Sequence, residues 1–174
     1  MPAAPPFVAL DFETANPSRT SACALAVVRV EGGAITGRGF SLIQPPSTRF
    51  TFTHIHGITW ADVLEAPTFG EVWRGFAPLL EGAAFYAAHW APFDRGVLRA
   101  CLEQAGLSRP LPPFLCTVAL ARQVWALPRH NLPTVAAHLE IPLQHHDAAS
   151  DAEACAKIAL AAQARGWDLG AQAR

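Results

Sequence analysis

The sequence predicts an α/β fold, a sheet of about five strands flanked by helices, and three observations carry that reading. Residues 7–12 (Phe-Val-Ala-Leu-Asp-Phe) form a nearly continuous apolar run, the pattern of a central strand buried on both faces. Residues 22–31 and 34–43 are strand-like and meet at Glu31-Gly32-Gly33, a hairpin turn signal, so the fold opens with an antiparallel meander. Beyond them the apolar period changes: Phe69, Val72, Trp73, Phe76, Leu79 and Leu80 form the stripe of an amphipathic helix over 69–80, with Pro67 near its start. Strands first, then alternating elements, are the order of a sheet covered by helices.

The remaining elements follow in turn. Residues 83–88 read as a short buried strand. Phe93, Val97, Leu98, Cys101, Leu102 and Ala105 mark a second helix, ended by Gly106. A short strand or loop near Phe114–Cys116 leads to helices at about 117–125, 132–139 and 148–165, the second opened by Asn131 as cap. The expected organisation is one domain over residues 1–174, with its core at about 7–165 and short disordered tails on either side.

Composition narrows the class. With 51% apolar and 16% charged residues, the chain is not disordered. No apolar run approaches the roughly 20 residues of a membrane span, and the first residues carry neither a basic region nor an apolar signal core. Cys23, Cys101, Cys116 and Cys155 are widely separated, which suggests four buried thiols in a reducing cytoplasm. The net charge of −1 lacks the basic excess usual in a nucleic-acid partner. Carboxylates that hold metal ions would, however, count as negative here while being neutralised by their cations.

Asp11 and Glu13 stand two residues apart at the end of an apolar strand, so both point to the same face. Two like charges there, with no basic neighbour, are costly to bury, and a hard cation such as Mg²⁺ or Mn²⁺ resolves the conflict. A pair of solvent-facing acids at a strand end is the plainer alternative. Asp94 falls in the first turn of the helix opening at Ala91-Pro92-Phe93, where the helix dipole alone favours an acid. His145-His146-Asp147-Ala148-Ala149-Ser150-Asp151 precedes the last helix, which either Asp147 caps or Ser150 caps with Glu153 completing a capping box. Under the first arrangement His146 and Asp151 can face one cleft.

Asp11-Phe12-Glu13-Thr14, then Ala88-His89-Trp90-Ala91-Pro92-Phe93-Asp94, then His146 to Asp151 resemble in order and spacing the three motifs of the DEDD family of 3′–5′ exonucleases. The subclass is the one whose third motif reads His-x-Ala-x-x-Asp, a group that includes the epsilon proofreading subunit of bacterial DNA polymerase III and free-standing relatives. The resemblance covers roughly residues 7 to 163. It implies a ribonuclease-H-like sheet with Asp11 on the central strand, two divalent cations, and hydrolysis of DNA or RNA from the 3′ end to nucleoside 5′-monophosphates, with DNA favoured. By the same resemblance Asp11 bridges both cations, Glu13 and Asp151 complete one site, Asp94 serves the other, and His146 is the general base. Thr14 and Phe12 stand beside the 3′-terminal nucleotide, and His56-Gly57-Ile58-Thr59 matches the segment whose apolar residue wedges against its base. His89, Trp90 and Phe93 belong to the substrate loop. Trp90 is a departure, because this position is usually Asn; the indole either stacks on a base or is buried, and burial is the expectation.

Two rivals remain. One is a module of this fold that binds nucleic acid without cutting it. The other is a zinc hydrolase using His54 with His56, or His145 and His146 with Asp147. Arg19, Arg95, Arg99, Arg122 and Arg129 are candidate phosphate contacts. The chain lacks the long C-terminal extension of the replicative epsilon subunit, so a free-standing enzyme, in repair or turnover, is expected over a stable polymerase subunit. Some relatives form homodimers, and nothing in the residues decides that point.

Overall fold

The structure, a computed structural model, describes residues 5–174; most of the expected N-terminal tail lies outside the described residues. Strand β1 (Phe7–Thr14) lies at the centre of a five-stranded sheet of order β3-β2-β1-β4-β5. Strands β2 (Ala22–Glu31) and β3 (Ala34–Leu42) run antiparallel, while β4 (Phe85–Ala88) and β5 (Phe114–Cys116) run parallel to β1. This is the expected mixed sheet. Gly32 and Gly33, with φ of 57° and 81°, make the two-residue hairpin loop, a turn that requires positive φ at both positions.

Nine helical segments are described: α1 (Thr53–His56), α2 (Trp60–Val63), α3 (Phe69–Gly75), α4 (Ala77–Leu80), α5 (Ala91–Gln104), α6 (Thr117–Val124), α7 (Leu132–His138), α8 (Ala148–Ala164) and α9 (Leu169–Gln172). Two apolar layers sandwich the sheet. On one side Phe7, Ala9, Ala24, Ala26 and Phe85 meet α6, α7 and α8. On the other Val8, Leu10, Phe12, Val27 and Tyr86 meet α3 and α5. The period of two therefore sorts β1 between the layers, and Asp11 and Glu13 continue the phase of Phe7 and Ala9. Both carboxylates thus face the layer that holds α8.

Small residues make that layer thin. Ala152, Ala156 and Ala159 of α8 are wholly buried over a sheet surface built from Ala9, Ala24 and Ala26, which lets the helix lie close to β1. A bulge between Glu13 and Thr14, where the register with β2 shifts, ends the strand at the site.

Three expectations are corrected. The helix over 69–80 is two pieces, because Pro78 has no N–H to donate and its ring collides with the carbonyl of Arg74 in a continuous helix; the break falls at Phe76. The stretch between β3 and α3 contains α1 and α2, too short to leave a periodic pattern. The C-terminal tail is ordered: Leu169 is buried, and Arg174 exchanges two backbone hydrogen bonds with Phe114 (2.8 and 3.0 Å) along the outer edge of β5. Finally, only Cys23, Cys101 and Cys155 are buried, Cys116 being half-exposed, though all four thiols are free. Among the described residues no helix is long and apolar enough to cross a membrane.

The thin layer leads to a stability prediction. Ala159→Leu has no space between α8 and the sheet and should lower unfolding free energy by about 1–3 kcal/mol in a urea titration. An unchanged midpoint would contradict the close approach.

Candidate active site

Three element ends converge at the C-terminal end of β1. The strand delivers Asp11 and Glu13, the first turn of α5 delivers Asp94, and the first turn of α8 delivers Asp151. One carboxylate oxygen from each of Asp11, Glu13 and Asp151 lies within 4.8 Å of the other two. Asp94 is buried beside them, and its Oδ1 accepts the Phe12 N–H at 3.1 Å, which ties α5 to β1. The four acids are therefore neighbours.

Helix α8 settles the capping alternatives. Asp147 is its N-cap and accepts the Ser150 N–H at 2.8 Å, while Glu153 pairs with Arg38 and Lys157 instead of closing a capping box. Asp151, 4% exposed, accepts the His146 N–H on Oδ2 (3.1 Å) and meets His145 Nδ1 there at 2.9 Å. Its Oδ1 is buried without a hydrogen-bond partner among the described residues. A buried acceptor left bare in this way is costly unless something electropositive completes it.

Electrostatics point the same way. Burial, and then the fields of Asp94, Asp151 and Glu13, hold the Asp11 carboxyl well above the ordinary range. Burial raises Glu13 to about 8, with Asp151 and Asp94 adding to the shift. Burial also raises Asp94 to about 7, against the opposing pull of the Phe12 N–H. Asp151 is raised by burial and partly restored by the His146 N–H and by His145.

The histidines divide into pins and a free group. His56 Nε2 meets the Thr14 carbonyl at 3.0 Å, and its Nδ1 accepts the Ile58 N–H at 3.0 Å. Both nitrogens are engaged, so His56 pins α1 to the end of β1, and the zinc arrangement with His54 has no ligand there. His89 bridges Thr117 Oγ1 (2.9 Å) and the His130 carbonyl (3.0 Å), and burial lowers it to about 4, so it stands neutral. His146 is exposed, has φ of 67°, and stacks on His145 with centroids 3.8 Å apart. Its ring has no hydrogen-bond partner among the described residues. His145, His146 and Asp151 can also bring ligand atoms within 4.8 Å, but Asp147, the third member of the other zinc arrangement, is occupied as the cap. The sequence reading missed the His145–Asp151 bond; the adjacency of the two histidines was its only signal.

A cleft of about 640 Å³ opens over the acids. Phe12, Thr14, His56, His89, Trp90 and Phe93 line it, together with His145 and His146. Two expectations fail here. Ile58 does not line the cleft but packs into the core; Phe52 and Ile55, from the turn around α1, present the apolar surface instead. Trp90 is 65% exposed rather than buried, and holds the left-handed conformation (φ 79°, ψ 58°) at the N-cap of α5. Of the candidate arginines, Arg122 lines the cleft and Arg19 donates to the Phe93 carbonyl at 3.1 Å.

Residues 8–159 match the family model RNase T, described as an exonuclease. The chain belongs to this exonuclease family. Membership gives it an exonuclease domain, in keeping with the three motifs. It is 34% identical over 153 residues to a DNA polymerase III of the PolC type from Bacillus cereus, covering 85% of this chain and 11% of that protein. The chain thus spans a small part of such relatives. The structure of exonuclease X in complex with 5′ overhanging duplex DNA superposes with a TM-score of 0.78 at 24% identity, covering 96% of this chain and 97% of that one. That of a 3′-exonuclease recognising a histone mRNA stem-loop gives 0.79 at 17% identity, over 97% and 86%. Both share the fold.

Members of this exonuclease family use divalent metal ions, and the residues here fit such ions: an all-oxygen donor set, raised carboxyls and a bare buried acceptor on Asp151. A pH signature follows for the metal-free protein. The unfolded chain ionises these carboxyls near pH 4, whereas the folded protein keeps protons on them up to about pH 7 for Asp94 and about 8 for Glu13. Their contribution to stability is fully present below about pH 4 and lost as pH rises through 7 to 8. In EDTA the melting temperature should fall over that interval, Asp11→Asn should soften the fall, and Mg²⁺ or Mn²⁺ should raise Tm more at pH 8 than at pH 5.5, by several degrees. An ion-independent Tm at both pH values would show that the cluster binds no cation.

Proposed function

We propose that this exonuclease degrades DNA from the 3′ end to nucleoside 5′-monophosphates with two divalent cations and His146 as general base. The observation that carries the reading is the placement of the unpartnered His146 ring in the same cleft as a buried carboxylate cluster.

Asp11 would be shared by both cations, Glu13 and Asp151 would complete one site, and Asp94 would serve the other. Such cations, when bound, lower the pKa of water, hold the scissile phosphate and stabilise the leaving 3′ oxygen. The chain's own residues do the rest. Burial and the neighbouring His145 lower the His146 pKa, so its ring is neutral at physiological pH and ready to accept a proton from the attacking water. The His146 N–H on Asp151 Oδ2 holds that turn in place. Thr14 and Phe12 sit where the terminal sugar would lie, and Phe52, Ile55 and Phe93 offer apolar surface to its base. Trp90 extends that surface towards the solvent. DNA is favoured by the polymerase relative, whereas the mRNA-binding neighbour makes RNA the alternative substrate.

His146→Ala should lower kcat by about 10²–10⁴ with KM nearly unchanged. Asp11→Asn or EDTA should abolish turnover. Matched 5′-labelled DNA and RNA strands, single-stranded and duplex, should show stepwise loss from the 3′ end, faster on DNA. A wild-type rate in His146→Ala removes the base assignment, and activity that survives EDTA removes the cations.

A further inference from the structure

A second groove, about 460 Å³, lies across the first turns of α5 from the catalytic cleft. Ala91, Pro92, Arg95, Gly96, Arg99 and Arg174 contribute to its walls. Trp90 and Phe93 face the cleft while Ala91, Pro92 and Arg95 face the groove, so one helix turn separates the two. The groove is basic in a chain whose net charge is −1. None of Arg95, Arg99 and Arg174 pairs with a carboxylate among the described residues.

The arginines are also held in place. Arg95 and Arg99 are four residues apart and share one helix face. Arg95 lies over the Phe114 ring, 6.0 Å from its centroid. Arg174 is brought to the same wall by its two backbone hydrogen bonds with Phe114. A fourth guanidinium lies against Gly96 of the groove wall: any Cβ at Gly96 would overlap Arg19, which donates to the Phe93 carbonyl. Glycine inside a helix costs about 1 kcal/mol relative to alanine. Here it gives Arg19 its seat.

We propose that this groove binds backbone phosphates of the strand whose 3′ end occupies the cleft, upstream of the terminal nucleotide. The inference rests on the nuclease reading of the cleft. Unpaired guanidiniums beside a nucleic-acid cleft are the chemistry of phosphate recognition. From Trp90 to Arg99 the helix advances about 13 Å at 1.5 Å per residue. That distance corresponds to about four nucleotides of a stacked strand at roughly 3.4 Å each. A dinucleotide therefore ends short of Arg99, and a longer strand reaches it.

The test uses the double variant R95Q/R99Q, which keeps the side-chain stems. Its control is R38A/K157A, which removes equal charge from the α8 side of the protein. Anisotropy of a labelled DNA single strand of about twelve nucleotides, titrated in EDTA over a salt series, reads binding without catalysis. The expected result for R95Q/R99Q is at least a tenfold rise in Kd at low salt and a log–log salt slope reduced by about 2, with the control near wild type. With cations present, KM should rise on that strand and stay unchanged on a dinucleotide, kcat holding for both. Gly96→Ala should weaken binding without lowering Tm, because it displaces Arg19 while improving the helix. Equal losses in variant and control, a loss confined to duplex, or a loss on the dinucleotide would each overturn the assignment. Binding that follows the prediction in a protein without nuclease activity would support the groove while sinking the nuclease reading, so the two failures are distinguishable.

Discussion

The structure depends on a repulsion. Four carboxylates are gathered at the end of an apolar strand, and no lysine or arginine pairs with any of them among the described residues. Burial and mutual repulsion both oppose their ionised form, so the metal-free fold tolerates the cluster by keeping protons on it. A cation satisfies the same oxygens with their charges intact. This explains why a strand that otherwise packs as pure core ends in Asp11 and Glu13, and why the bare Oδ1 of Asp151 survives in a buried position. Stability and chemistry compete at these residues, and the rest of the fold supplies the surplus.

That surplus is visible in how the site is braced. The four acids come from three elements, β1 supplying two of them, and each junction is fixed by a specific bond. Phe12 N–H on Asp94 ties α5 to β1, and His56 on the Thr14 carbonyl ties the α1 turn to the same strand. His89 connects the end of β4 with Thr117 and the loop before α7. The turn before α8 folds back through His145 and the His146 N–H onto Asp151. His56 and His89 suit this task because in a neutral imidazole one nitrogen donates while the other accepts, so each ring joins two segments without adding charge to the site. Among the described histidines that line the cleft, only His146 keeps its ring free of such a duty.

The sheet and the acids were legible because they follow short periods. Alternation along β1 put Asp11 and Glu13 on one face, and the structure shows that face meeting α8. The Gly32-Gly33 turn and the caps at Asn131 and Asp147 are local signals, and local signals survive folding. What escaped was decided by distant contacts. Whether Ile55 or Ile58 reaches the cleft depends on a four-residue helix with no period to read. The ordering of Arg174 depends on an edge of β5 more than fifty residues upstream. The break at Phe76 was readable from Pro78, but the apolar stripe running through it concealed the missing donor.

Trp90 shows how a departure from local preference carries information. Among the described residues three non-glycine positions have positive φ, and Glu140 simply follows the end of α7, where a left-handed residue commonly terminates a helix. The other two, Trp90 and His146, both line the cleft. Asparagine, usual at position 90 in the resembling family, tolerates the left-handed region; tryptophan pays for it and gains no burial in return, since its ring stays 65% exposed. Neither packing nor backbone preference accounts for an indole there. A flat apolar ring at the ridge between an acidic cleft and an arginine groove is suited to hold a base while the phosphates on either side meet cations and guanidiniums. On the proposed reading the strain at α5 would belong to the substrate path, because the helix turn that presents Asp94 to the acids also turns Trp90 into the cleft.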